Sequence, residues 1–588
     1  MSYIGVWQEI LMRRSDILSF SVLVLFFAFF LRTDSLFAQA SGGEKILFNG
    51  KIFTATQNPV VEAVSISGDK IVAVGSLATV RGTVSDRAEL IDLKGKYLLP
   101  GLIDSHNHAI GGGESLMIAT LNDALLNKDE LKKFAREAIE SKKGLRGDVL
   151  YIGGVHSSTW AAVEDLIDVF NKEPFNSHGV VLRGSDKHTA WANKVVLQRA
   201  GINEQFIRGL SATEKKYFGF NQADEPNGLI SEAGYRKIEA VIPASPIRPL
   251  DAAEKGAQYL NSLGITAWLD PSAGNTDEGE NNSHLEVYNT LFGQKKINAH
   301  VAAVVVAKAN DDPAPQIEIV KKLQRKYRDV EGLRILGFKI FADGVLEYPT
   351  QTAAVSIPYT NTRQNGSLMF EPSQFKIFAA QADKEGLLVH VHAIGDRAVT
   401  ETLNAFAYMR QSNGSNDIAH SITHLQVVIP ADLKRFLHLK IIANMQLLWA
   451  NADSYVVDLV KPYLDPTLYH RQYPAASLLR AGNTISGSSD WPVSSANPFD
   501  AFHMGETRVG QKGVLDATEV MTRIEMLKAY TINAAKALMM ERTIGTIESG
   551  KQADFVLVDR DVLTVPSEEV KKTSVLWTMF GGRIVYSK

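Results

Sequence analysis

The stretch Pro100-Gly101-Leu102-Ile103-Asp104-Ser105-His106-Asn107-His108 reads as an apolar strand that ends in His-x-His. Alternate residues of a strand share a face. His106 and His108 therefore point the same way at the strand end, where two imidazoles can hold one divalent ion. Taken alone, the pair reads more readily as the polar surface of a loop. The rest of the chain has to decide.

Downstream, short apolar runs recur with helical stretches between them, predicting strands at 98–104, 266–270, 299–306, 335–341, 387–392, 418–424, 441–446 and 484–488. The intervening segments, 252–263 and 372–385 among them, are long enough for the crossover helices that parallel strands require. An α/β fold of eight such units closes most economically into a (β/α)8 TIM barrel, with chemistry at the C-terminal strand ends. A doubly wound open sheet is the alternative, because periodicity alone does not close a sheet. The stretch from about 109 to 250 exceeds a simple connection and predicts an insertion at the barrel top. Its Trp160, Phe170, Trp191 and several glycines suit a lid or pocket wall.

Both ends of the chain are β-rich. Short runs at 46–48, 52–54, 64–66 and 71–74 are matched near the C-terminus by 553–559, 575–579 and 583–586. Isolated hairpins are marginal alone, so residues 41–97 and 545–588 are expected to pair into a small composite β-sandwich domain. It would bracket a barrel of residues 98–544.

The chain has 588 residues, 45% hydrophobic and 22% charged, with a net charge of −3. That balance supports a large core and shows no basic stretch for nucleic acid. A small-molecule substrate is the expected partner. No interface stripe reveals an oligomeric state. At the N-terminus, Arg13 and Arg14 precede an apolar run over 17–31 and then Ala38-Gln39-Ala40. This is the pattern of a secretory signal peptide over residues 1–40. Cleavage would leave Ser41 first, in a periplasmic or secreted protein with no stable membrane association. An uncleaved anchor is the alternative, although the run is shorter than the ~20 apolar residues of a spanning helix. The chain has no cysteine, so no disulfide can hold it.

Further ligand-type residues stand at the ends of other predicted strands: Lys339, His392, His424 and Asp490. Each has a plain structural reading. Lys339 could bury its stem and send its ammonium to solvent, and Asp490 could be a turn aspartate before Pro492. His390 and His420 share strand parity with His392 and His424, and as the deeper members are expected to lie in the core or to orient those neighbours.

Together, Ser105-His106-Asn107-His108, Phe338-Lys339-Ile340-Phe341-Ala342-Asp343-Gly344, His392-Ala393-Ile394-Gly395-Asp396-Arg397-Ala398, Thr423-His424-Leu425-Gln426 and Gly487-Ser488-Ser489-Asp490-Trp491-Pro492 resemble the amidohydrolase superfamily. More narrowly they resemble its amidohydrolase 3 branch, which includes N-substituted formamide deformylases. The segments Lys187-His188-Thr189-Ala190-Trp191-Ala192-Asn193-Lys194 and Gly545-Thr546-Ile547-Glu548-Ser549-Gly550 are similar to that branch as well. The resemblance implies that His106, His108 and Asp490 hold one metal and His392 and His424 a second, with a carboxylated Lys339 bridging them. The chain departs from the branch pattern at Val345-Leu346-Glu347-Tyr348-Pro349, where small residues are usual.

Two divalent ions ~3.5–4 Å apart, zinc being favoured, can activate water and polarise a carbonyl oxygen. The implied activity is hydrolysis of non-peptide carbon–nitrogen bonds in amides, formamides or cyclic amides, with Asp490 as the proton-carrying catalytic residue. His188, Glu347, Tyr348 and Trp491 are expected to line the substrate pocket. The alternatives are an ester, lactone or phosphoester hydrolase on the same site, or a binding protein without catalysis.

Overall fold

The computed structural model describes residues 43–588 apart from Asn58. The signal-peptide reading of residues 1–40 lies outside them. Among the described residues, no helix is long and apolar enough to cross a membrane.

Eight strands form one all-parallel sheet in sequence order: β1 (Leu102–Asp104), β2 (Ile265–Asp270), β3 (His300–Val306), β4 (Leu333–Phe341), β5 (Leu388–Ala393), β6 (Ser421–His424), β7 (Ile442–Met445) and β8 (Ile485–Gly487). Their residues are buried almost throughout, as expected for parallel strands covered by helices. The ring comes together between β8 and β1, where Ser105 donates its backbone N–H (3.2 Å) and its hydroxyl (2.7 Å) to the Gly487 carbonyl. The fold is a (β/α)8 barrel with additional sheets, and the open doubly wound alternative falls.

Crossover helices begin where the sequence caps them. Pro249–Ser262, Pro313–Lys326 and Pro372–Lys384 each open with proline in the first turn, where its missing N–H costs nothing. The chain leaves His108 in a short helix, Ala109–Ser115, that packs tightly on Pro249–Ser262. A Cβ on Gly113 would lie 1.8 Å from the Ala252 carbonyl oxygen, and one on Gly112 would lie 2.2 Å from the Trp491 ring. Gly112 and Gly113 are thus what let this helix sit close against Trp491 and the Pro249–Ser262 helix.

Two expectations need correction. The predicted strand 98–104 is two strands, because Tyr97–Pro100 pairs with Phe555–Val558 at the C-terminal end of the chain. The switch falls at Gly101, whose N–H goes to the Asp554 carbonyl (2.8 Å) and whose Cβ would strike Thr266 Oγ1 at 2.1 Å. Trp160, Phe170 and Trp191 do not wall a pocket. They are 0–2% exposed and form the core of the insertion with Leu150 and Leu182.

That insertion is a six-stranded sheet ordered Phe218–Phe220, Pro226–Ser231, Thr189–Ala192, Gly179–Gly184, Val149–Val155, Leu145–Arg146. At the chain ends, a four-stranded sheet from Glu44–Phe48, Ala63–Ser67, Lys70–Gly75 and Glu89–Asp92 faces a six-stranded sheet. The latter combines Lys51–Phe53, Val60–Val61 and Tyr97–Pro100 with Phe555–Val558, Val575–Phe580 and Arg583–Ser587. Leu47, Ile66, Leu98, Phe555 and Met579 pack together between them.

Candidate metal centre

The C-terminal strand ends open into a cavity of about 1960 Å³ whose lining includes His106, His108, Lys339, His392, His424 and Asp490. Two loops, one after β1 and one after β8, are fastened together at its base. Buried Asp104 accepts hydrogen bonds from Asn107 Nδ2 (2.8 Å), Ser489 N (3.0 Å) and Ser489 Oγ (2.5 Å). Asp490 N donates to the His106 carbonyl, and His108 N to the Trp491 carbonyl, each at 2.9 Å.

Asp490 sits at φ 56°, in the left-handed region that Asp, with its short polar side chain, tolerates better than most residues. Its Oδ1 lies 3.1 Å from His108 Nε2 and 3.3 Å from His106 Nε2. Among the described residues, no hydrogen bond satisfies that buried oxygen. The two nitrogens and the oxygen lie within 4.8 Å of one another. A carboxylate oxygen facing two imidazoles, with no hydrogen bond to satisfy it, is a donor set that a divalent cation completes. The residues present fit a metal.

A second pair adjoins the first. The His392 and His424 rings are 4.5 Å apart, and His424 is 5.2 Å from the His106 ring. His424 Nδ1 lies 2.9 Å from Gln446 Oε1, and His392 Nε2 lies 3.1 Å from the Gly344 carbonyl. Both partners are acceptors, so these ring nitrogens carry the protons. His424 Nε2 and His392 Nδ1 keep their lone pairs. Burial pushes His106, His392 and His424 well below the usual histidine pKa, which keeps them neutral, as metal ligation requires. For Asp490, burial works toward a higher pKa, but His108, His424 and Lys339 outweigh it and keep the group ionised.

Lys339, 1% exposed on β4, has no hydrogen bond or ion pair among the described residues, and its Nζ stands 5.0 Å from the centre of the Phe341 ring. Burial lowers its pKa to about 7, so much of the amine is neutral at physiological pH.

Around this centre His188, Glu347 and Trp491 line the cavity. His188 Nδ1 lies 3.0 Å from Glu232 Oε2; burial alone would lower its pKa, but Glu232 holds it up at about 9. Burial raises Glu347 to about 7. Tyr348 departs from expectation: it does not line the cavity and its ring stacks on Tyr463 at 4.5 Å. It is the neighbours Glu347 and Pro349 that face inward.

The structure adds residues that strand parity could not supply. His390 does not orient His392; its Nε2 lies 2.7 Å from His106 Nδ1, and its Nδ1 lies 2.6 Å from Ser421 Oγ. His420 turns away to Asp383 (2.9 Å). Asp343 accepts N–H groups from Ile394 (3.0 Å), Gly395 (2.9 Å) and Ala354 (2.9 Å), fixing the loop after β5. Asp343 follows directly from the Phe-Lys-Ile-Phe motif, and its partners are backbone, which no side-chain pattern announces.

The sequence matches the Amidohydrolase family over residues 89–586. It is 28% identical over 558 residues to Protein LONG AFTER FAR-RED 3 of Arabidopsis thaliana, covering 92% of this chain and 91% of the relative. Identity to the N-substituted formamide deformylase of Arthrobacter pascens is 24% over 582 residues, covering 92% and 98%. Among solved structures, a metal-dependent hydrolase from Pyrococcus horikoshii OT3 superposes with a TM-score of 0.67 at 23% identity, covering 90% of this chain and 99% of the other. With its barrel, its His106/His108/Asp490 cluster and a match across most of its length, this chain belongs to the amidohydrolase family of metal-dependent hydrolases.

Proposed function

We propose that this hydrolase cleaves a carbon–nitrogen bond in a small non-peptide amide, formamide or cyclic amide. The observation that carries the reading is the approach of His106 Nε2 and His108 Nε2 to the unsatisfied Asp490 Oδ1. In this reading His106, His108 and Asp490 hold one divalent cation, zinc being favoured. His392 and His424 hold a second, and carboxylated Lys339 joins the two. Bound cations supply Lewis acidity, polarising an acyl oxygen and making water more acidic.

The chain supplies the rest. Asp490, ionised at neutral pH, takes a proton from the attacking water and returns it to the departing nitrogen, since an amine leaves only once protonated. His390 and Gln446 hold His106 and His424 in fixed orientation. The name of the Arthrobacter pascens relative, a deformylase of N-substituted formamides, favours nitrogen over oxygen leaving groups. A panel of formanilides and anilides against matched aryl esters, with zinc supplied, tests this. Turnover of the anilides supports it, and an enzyme clearly faster on esters overturns it.

We further propose export with cleavage after Ala40, supported by Arg13-Arg14, the apolar run and Ala38-Gln39-Ala40. Mass spectrometry of native protein should find Ser41 first. An intact N-terminus in a membrane fraction would contradict it.

A further inference from the structure

One layer below the candidate ligands, the barrel interior is polar. Ser105, Thr423, Asn444, Gln446, Ser486 and Ser488 are all fully buried, where barrels of this kind usually stack branched apolar side chains. Such a layer is stable only when its groups find partners among themselves, and here one side chain supplies most of them. Asn444 stands on β7, between β6 and β8, on a strand that contributes none of the candidate ligands.

Its amide is satisfied on both sides. Asn444 Nδ2 donates to the Ser105 carbonyl (3.1 Å), Ser105 Oγ (2.7 Å) and Ser486 Oγ (3.0 Å). Its Oδ1 accepts from Thr423 Oγ1 (2.7 Å), Ser488 Oγ (2.8 Å) and Gln446 Nε2 (3.3 Å). The Ser105 carbonyl can only accept and Gln446 Nε2 can only donate, so the orientation of the amide is fixed.

Three arms of this hub end beside candidate ligands. Ser105 precedes His106, Thr423 precedes His424, and Ser488 lies two residues before Asp490. Two of those ligands have left-handed backbone, His424 at φ 78° and Asp490 at φ 56°. Few residues other than glycine adopt that region, and they do so where the surroundings hold the chain in place. Thr423 faces into the barrel, so a regular strand would turn His424 outward. The left-handed step brings its ring back to the cavity, and the Thr423 hydroxyl, fastened to Asn444, anchors the residue before that step.

We propose that Asn444 is a positioning residue that aligns the ligands of β1, β6 and β8 from a strand that supplies no ligand itself. Resting on the metal reading above, this couples the two halves of the centre, because one amide holds the residues next to His106, His424 and Asp490. An amide that only filled the barrel would support its stability and leave cation affinity alone.

The test measures zinc affinity of the chelated full-length protein by competition with a chromophoric chelator, beside the melting temperature of the zinc-free form. Thr423→Val and Ser488→Ala each remove one hydroxyl arm. Each should weaken zinc binding by about tenfold, in the range for partners that support metal ligands, with the zinc-free melting temperature near wild type. Thr423→Ser keeps the hydroxyl and should bind zinc as wild type does. Asn444→Leu should weaken binding by about a hundredfold, and adding Thr423→Val or Ser488→Ala to it should cost little more, since members of one network are not additive. Should Asn444→Leu fail to fold, the single-hydroxyl variants decide alone. Unchanged zinc affinity in Thr423→Val and Ser488→Ala overturns the proposal, whether or not the melting temperature falls. Losses that add in full in the Asn444→Leu background overturn it as well. A wild type that takes up no zinc would overturn the metal reading and this inference with it, whereas a zinc-binding wild type with unaffected variants would overturn the role of Asn444 alone.

Discussion

His390 Nε2 lies 2.7 Å from His106 Nδ1, joining the middle of β5 to the turn after β1 across the barrel. The contact fixes which His106 nitrogen faces Asp490. Removing such a supporting partner typically costs 10–100-fold in metal affinity. His390→Ala should therefore weaken metal binding by about that factor while circular dichroism stays near wild type. Unchanged affinity in competition with a chelator would reduce the contact to packing.

Asp490→Asn keeps the side-chain shape, and Asn tolerates φ 56° as well as Asp does. Turnover should fall by the ~10²–10⁴-fold typical of general acid–base catalysis. Metal content measured alongside separates the lost proton carrier from a lost ligand. Wild-type rates would make Asp490 a turn residue.

Lys339 as an ammonium would repel two dications, whereas its carbamate would offer them two anionic oxygens. Carboxylation needs the neutral amine, which predominates above the pKa of about 7. Lys339→Ala should be nearly inactive and poor in metal, and a short carboxylic acid added with zinc should restore part of the activity. A variant that keeps full metal content and needs no added acid would support a mononuclear site on His106, His108 and Asp490.

A fourth expectation concerns stability. Buried Asp383 accepts from His420 Nε2 (2.9 Å), Asn413 Nδ2 (2.8 Å), Asn416 Nδ2 (2.6 Å) and Arg410 (3.1 Å). Burial would raise its pKa, but these bonds hold it well below the usual carboxylate range. A carboxylate depressed in the folded state adds stability that is complete above its unfolded pKa of about 3.9 and is lost as pH falls through the folded value. Asp383→Asn should cost about 3 kcal/mol at pH 7, as for other broken buried pairs. In chemical denaturation, the gap from wild type should shrink below about pH 4. A gap independent of pH would remove the carboxylate from the account.

Much of this was legible because periodicity and parity are local. Each of the eight strands announces itself by its own apolar run, and His106, His108, Lys339, His392, His424 and Asp490 all stand at or just beyond strand ends. What parity cannot carry is contact around a closed ring. His390 shares a face with His392 yet bonds to His106, because closure brings β5 and β1 together over the cavity. Gly101 marks the other limit: one uninterrupted apolar run serves two sheets, and the change of partner depends on Asp554, more than 450 residues away in the chain. Trp160 and Trp191 were misplaced for a related reason, since the insertion is large enough to need a core of its own.

The central claim is that His106, His108 and Asp490 converge to bind a catalytic cation, and metal stoichiometry tests it most directly. Chelated protein should be inactive and should recover on adding zinc. Elemental analysis after dialysis should find fewer zinc ions per chain in His108→Ala than in wild type, with circular dichroism unchanged. A His108→Ala protein with wild-type zinc content and wild-type activity would contradict the account.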